Sequence, residues 1–83
     1  MYGIMENMKD TMNQIADKVR GVAAEKHVTQ QAMANLLGMS RAAFSDRING
    51  KVPFGAHEIL ALANHFDVPV TRLFPDLFTE RAA

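Results

Sequence analysis

The stretch Thr29-Gln30-Gln31-Ala32-Met33-Ala34-Asn35-Leu36-Leu37-Gly38-Met39-Ser40-Arg41-Ala42-Ala43-Phe44-Ser45-Asp46-Arg47-Ile48-Asn49-Gly50 decides the fold. Thr29 is a good N-cap, because its hydroxyl can accept from a backbone N–H of the first turn. A short helix over 30–37 follows, and Gly38 stands where a left-handed C-cap residue belongs. Met39 occupies the turn and plugs the angle between the helices. Ser40 caps a second short helix over 41–49, which Gly50 ends in the same manner. Ala34 is small where two helices would approach closely. Met33, Leu37, Phe44 and Ile48 share the phase of a buried face. That leaves Arg41, Ala42, Ser45 and Asp46 on the outer face of the second helix. Two short helices joined by a turn that begins with glycine make a helix-turn-helix unit.

Working outward, the periodicity stays helical. Before the unit, Met1, Ile4, Met5, Met8, Met12, Ile15, Val19, Val22 and Ala23 recur at steps of three and four. They form one stripe on a helix over about 2–26. Gly21 interrupts it at about 1 kcal/mol relative to alanine, so a bend or frayed start is expected there. After the unit, Lys51-Val52-Pro53-Phe54-Gly55 has the proline and glycine of a turn. A helix over 56–66 follows, with Ile59, Leu60, Leu62, Ala63 and Phe66 as its buried face. Pro69 preorganises a short fifth helix over 70–74, and Pro75 stops it. The chain shows no strand pattern and no repeat. The expectation is an all-α bundle of five helices with an extended N-terminal helix. It divides into an N-terminal helical extension over 1–17, a helix-turn-helix domain over 18–75 and a tail over 76–83.

Composition narrows the class. With 83 residues, 48% apolar and 22% charged, the chain has room for one hydrophobic core. It has no cysteine, which excludes a disulfide-stapled secreted scaffold. The longest strictly apolar stretch, 59–63, falls far short of the roughly 20 residues of a membrane-spanning helix. Glu6 and Asp10 stand where a signal peptide would be basic and then apolar. A cytoplasmic protein with no membrane partner is expected. The net charge of zero conceals a division. Residues 18–51 hold Lys18, Arg20, Lys26, Arg41, Arg47 and Lys51 against Glu25 and Asp46, a net +4, while each flanking segment carries −2. A segregated basic block can steer a polyanion even on a neutral molecule, although such a block also occurs on ordinary solvated surfaces.

From about residue 19 to 74 the sequence resembles the lambda-repressor-like (Cro, XRE) family of DNA-binding domains. Several features carry the likeness: Thr29-Gln30 opening one helix, the spacing of Ala34 and Gly38, and Met39-Ser40-Arg41 opening the next. Asn49-Gly50-Lys51 at its exit and Ile59-Leu60-Ala61-Leu62-Ala63 followed by Val68-Pro69 complete it. The resemblance implies a compact five-helix bundle that binds double-stranded DNA as a transcriptional repressor of phage Cro or immunity type. In a phage setting it would act in the cytoplasm of the bacterial host. The 41–49 helix would lie in the major groove of a near-palindromic operator. Arg41, Ala42, Ser45 and Asp46 would read bases, and Gln30, Thr29, Ser40, Arg47, Asn49 and Lys51 would meet the DNA backbone. By resemblance Gln30 would bond a phosphate and brace Arg41. Arg41 and Ala42 replace the Gln-Ser or Gln-Thr often found there, so the bases read should differ. A bidentate Arg41 favours guanine, and Ala42 or Ala43 suits a thymine methyl. Asp46 would accept from a cytosine amine or orient Arg47 or Arg41. For Arg47 the expectation is a snorkelling stem with its head on phosphate or on Asp46.

Each residue also has a plainer reading. Ser45 serves as a hydrogen-bonding group or as a small residue that permits close approach. Asn49 is a phosphate contact or a helix cap. Met1, Met5, Met8 and Met12 continue the core, or they protrude, since a 25-residue helix extends about 37 Å. A protruding apolar stripe suits a second copy of the chain, so a homodimer is expected at least on DNA. Phe74 and Phe78 form a second candidate dimer surface or cap the bundle's open end. His57 and His65 stand eight apart on one helix and lack metal-ligand company, and no phosphate-binding glycine loop exists. No enzyme activity, cofactor, metal or small-molecule ligand is expected. Two rival readings remain: an antitoxin-type module whose main partner is a toxin protein, and a protein-binding helical adaptor.

Overall fold

The computed structural model describes residues 2–74, and their side chains from Thr11 onward. Among the described residues four α-helices run in chain order: α1 Tyr2–Lys26, α2 Gln30–Leu37, α3 Arg41–Ile48 and α4 Ala56–Phe66. A single turn of 3-10 helix, Val70–Leu73, follows. There is no strand among the described residues.

All four α-helices close with one device. A left-handed residue lets the next N–H reach back to the carbonyl five residues earlier. Val28 N–H donates to Ala23 O (2.8 Å), Met39 to Ala34 O (3.0 Å), Lys51 to Asp46 O (2.8 Å) and Val68 to Ala63 O (3.1 Å). The left-handed residues are His27, Gly38, Gly50 and Asp67, with φ of 59°, 69°, 80° and 61°. Gly50 has a second reason to be glycine, since a Cβ there would collide with Asn13 Oδ1 of α1. His27 and Asp67 adopt the same backbone with a side chain, and Asn, Asp and His are the non-glycine residues enriched there. The starts of α2 and α3 follow their capping residues. Thr29 Oγ1 accepts from Ala32 N–H and Ser40 Oγ accepts from Ala43 N–H, both at 3.0 Å.

The helices enclose one apolar core. Val19, Val22 and Ala23 of α1 meet Met33 and Ala34 of α2, Phe44 and Ile48 of α3, Leu62 and Phe66 of α4, and Leu73. Phe44 is fully buried and takes the edge of Phe54, ring centroids 5.8 Å apart, so the loop after α3 is pinned to the core. α2 packs on α3 and α4, while α1 crosses behind α3, α4 and the 3-10 turn. This leaves the outer face of α3 open. A two-pronged contact from Arg72 to Glu25 (3.1 and 3.4 Å) ties the 3-10 turn to α1. That hydrogen bond, with the charge of Arg72, holds the Glu25 carboxyl below its ordinary range.

Four expectations are corrected here. The fifth helix is a four-residue 3-10 turn, because Phe74 leaves the turn with extended backbone. α3 ends at Ile48, with Asn49 as its C-cap. α1 runs unbroken through Gly21, whose missing side chain faces open space. Leu60 is exposed, since Ile59, Leu62, Ala63 and Phe66 already fill the buried phase and Leu60 lies a quarter-turn away.

Candidate nucleic-acid interface

The outer face of α3 starts with a residue that no other described residue engages. Arg41 is exposed and has no hydrogen bond or ion pair among the described residues, and Ala42 and Asp46 beside it are exposed too. Ser40 is occupied with the cap, but its hydroxyl proton is still available to an acceptor outside the protein. The same holds for Thr29 at the start of α2. One turn along α3 from Arg41, half-buried Ser45 accepts from Asn49 Nδ2 at 3.2 Å. That bond fixes the Asn49 amide along the same face. Lys51, just past the exit, is exposed. Gln30 opens α2 half-buried and makes no bond to Arg41 among the described residues.

Arg47 points elsewhere. Its Nε donates to Glu58 Oε1 at 3.0 Å and its Nη1 to the Ala43 carbonyl at 3.1 Å. The guanidinium therefore turns toward α4, and the expected partner Asp46 is not the one it meets. The reason is helical phase: Arg47 lies three residues past fully buried Phe44, on the core side of α3. Glu58 is the buried charged residue at the centre of this joint. The same Oε1 accepts from Gly55 N–H at 2.9 Å, which satisfies an orphan donor at the start of α4. Burial pushes the Glu58 carboxyl up. The Gly55 N–H and Arg47, by hydrogen bond and charge, together with His57 nearby, outweigh that and hold it below the usual 4.5.

Sequence reasoning passed over Glu58 and counted Arg20 only as one charge of the basic block. Glu58 shares the buried phase of Leu62 four residues on, so a carboxylate at a core position was the available signal. Arg20 reaches from α1 to the carbonyl of Ile48, the last residue of α3, at 2.7 Å, and also pairs with Asp17. No local pattern announces that contact. Met12 is half-buried, whereas the Met1, Met5 and Met8 side chains lie outside the described residues. Phe74 packs half-buried against the core, and Phe78 lies outside the described residues. Among the described residues no group of three histidines, cysteines or carboxylates is placed to hold a metal ion. No helix among them is long and apolar enough to cross a membrane.

No family model matches this sequence, and a search of curated proteins finds no relative. Among solved structures, the restriction-modification controller protein C.AhdI from Aeromonas hydrophila superposes with a TM-score of 0.67. The identity is 24%, over 76% of this chain and 96% of that one. The two chains share a fold. The all-helical helix-turn-helix architecture expected from the sequence is thereby matched in a solved controller protein.

Proposed function

We propose that this protein is a sequence-specific double-stranded DNA-binding transcriptional regulator. The observation that supports it best is the exposed start of α3. There Arg41, exposed and without a partner among the described residues, follows Ser40, whose capping hydroxyl can still donate as can that of Thr29 at the start of α2, on a scaffold shared with a controller protein. α3 enters the major groove with Arg41 and Ala42 toward base edges, the position from which a recognition helix reads sequence. Thr29, Ser40, Asn49 and Lys51 flank it and meet the phosphates, which fixes register rather than sequence. Ser45 and Asp46 complete the reading face, and Gln30 meets a phosphate from the start of α2. Two copies of the chain, each presenting α3, would sit in successive major grooves about 34 Å apart on a near-palindromic operator and block transcription. The phage Cro or immunity setting rests on the sequence resemblance, and the likeness to C.AhdI extends it to controllers of restriction-modification genes. The protein acts in the cytoplasm in either setting.

The test is a fluorescence anisotropy titration of a labelled mixed-sequence duplex over a range of salt concentrations. The expected result is binding at low salt that weakens linearly on a double-logarithmic plot, as phosphate neutralisation requires. A protein that fails to bind duplex DNA at low salt is not a DNA-binding regulator.

A further inference from the structure

We propose that Arg20 of α1 is a phosphate contact of the same interface, held at the exit of α3 and partly neutralised by Asp17. The proposal rests on the DNA-binding reading above and adds to it a residue from outside the helix-turn-helix unit. Its Nη1 donates to Ile48 O at 2.7 Å, which places the guanidinium beside the Asn49-Gly50-Lys51 exit. Arg20 also lines a groove of about 220 Å³ together with Met33, Ile48 and Gln30. Arg20 thus stands where α1, the start of α2 and the end of α3 converge, with Gln30 on the same groove and Asn49 next in the chain to the Ile48 carbonyl it holds. Those two residues are assigned to phosphates on separate grounds.

The chemistry agrees with the placement. A guanidinium carries five N–H donors in a planar fork suited to phosphate oxygens. Two of Arg20's nitrogens are engaged, by Ile48 O and by Asp17, and the side chain is still 48% exposed. The bond to Ile48 O holds the head in place, so little rotamer freedom remains to be lost when an anion arrives. Asp17, itself 66% exposed, holds the opposing charge. A phosphate approaching Arg20 competes with that carboxylate, so Asp17 weakens DNA binding.

Two variants test this in the full chain. Arg20→Gln keeps an amide donor for Ile48 O and removes the charge, and Asp17→Asn removes the competing carboxylate from an exposed position. Binding to a mixed-sequence duplex is followed against salt, together with the thermal midpoint of each variant. The expected result for Arg20→Gln is weaker binding to every sequence and a salt slope shallower by about 1. For Asp17→Asn it is severalfold tighter binding at low salt. If Arg20→Gln does not fold, Asp17→Asn decides by itself. Wild-type slope and affinity in the folded variants overturn the assignment and leave the DNA-binding reading standing. A wild-type protein that does not bind at low salt overturns both.

Discussion

At the start of α3, Arg41 is exposed and has no partner among the described residues, whereas near its end Arg47 is tied to Glu58 and to the Ala43 carbonyl. The two arginines lie on one short helix and are chemically identical. What separates them is phase: Arg47 follows Phe44 on the side that faces α4, and Arg41 precedes Ser45 on the side that faces solvent. The difference shows why counting charge along a sequence overstates a basic surface. Of the six cations in residues 18–51, Arg47 is neutralised by Glu58 and Arg20 in part by Asp17. One end of α3 is left exposed, and the other ties the helix to α4.

The comparison breaks most visibly at the tied end. Glu58→Ala leaves Arg47 half-buried without its carboxylate and Gly55 N–H without its acceptor. Loss of a buried ion-pair partner costs about 3 kcal/mol, read as a fall of the thermal midpoint. An unchanged midpoint would mean that Arg47 finds solvent at no cost and that the joint does not fix α3. The pH dependence has a definite sign. The folded Glu58 carboxyl is held below 4.5, so its contribution to stability is present above that pH and is lost as pH falls through the depressed value. Acid unfolding of Glu58→Gln, followed by circular dichroism, should lack that component. An acid limb identical to wild type would contradict it.

At the free end the expected signature is the reverse. Arg41→Ala should keep the thermal midpoint and lose about 1–3 kcal/mol of binding at one base pair per half-site, measured by titrating operator variants. Equal loss on all sequences would make Arg41 a phosphate anchor. Ser40→Ala removes the cap of α3 just before its free end. It should lower stability by about 1 kcal/mol in a denaturant titration, and a negligible change would mean that the cap hydrogen bond adds little. The smallest effect belongs to Lys51, beyond the tied end. Lys51→Ala should reduce the salt slope by about 1 with no change in sequence preference, and an altered preference would place Lys51 on a base.

Much of this was legible in the sequence because it is local. Thr29, Gly38, Ser40 and Gly50 mark helix ends by chemistry that acts within four or five residues, and the structure has boundaries within a residue of those marks. The ends at His27 and Asp67 carry no glycine, so the same closure is invisible there. In the run 59–63 every residue is apolar, so periodicity cannot separate buried Ile59 from exposed Leu60. The Arg47–Glu58 joint and the reach of Arg20 to Ile48 span 11 and 28 residues, and only the packing of α3 against its neighbours brings those groups together. The open face of α3 could be read because it is what remains once the core phase is assigned.

The account's central claim is that the free end of α3 reads bases while the tied end holds it in place. Parallel selection of the wild-type protein and Arg41→Ala from a random double-stranded DNA library, followed by sequencing, tests it most directly. The account predicts that wild type enriches an inverted repeat with half-sites about one helical turn apart. Arg41→Ala should enrich the same repeat with the preference relaxed at one position in each half. Identical enriched motifs for the two proteins, or no enrichment by wild type at low salt, would contradict it.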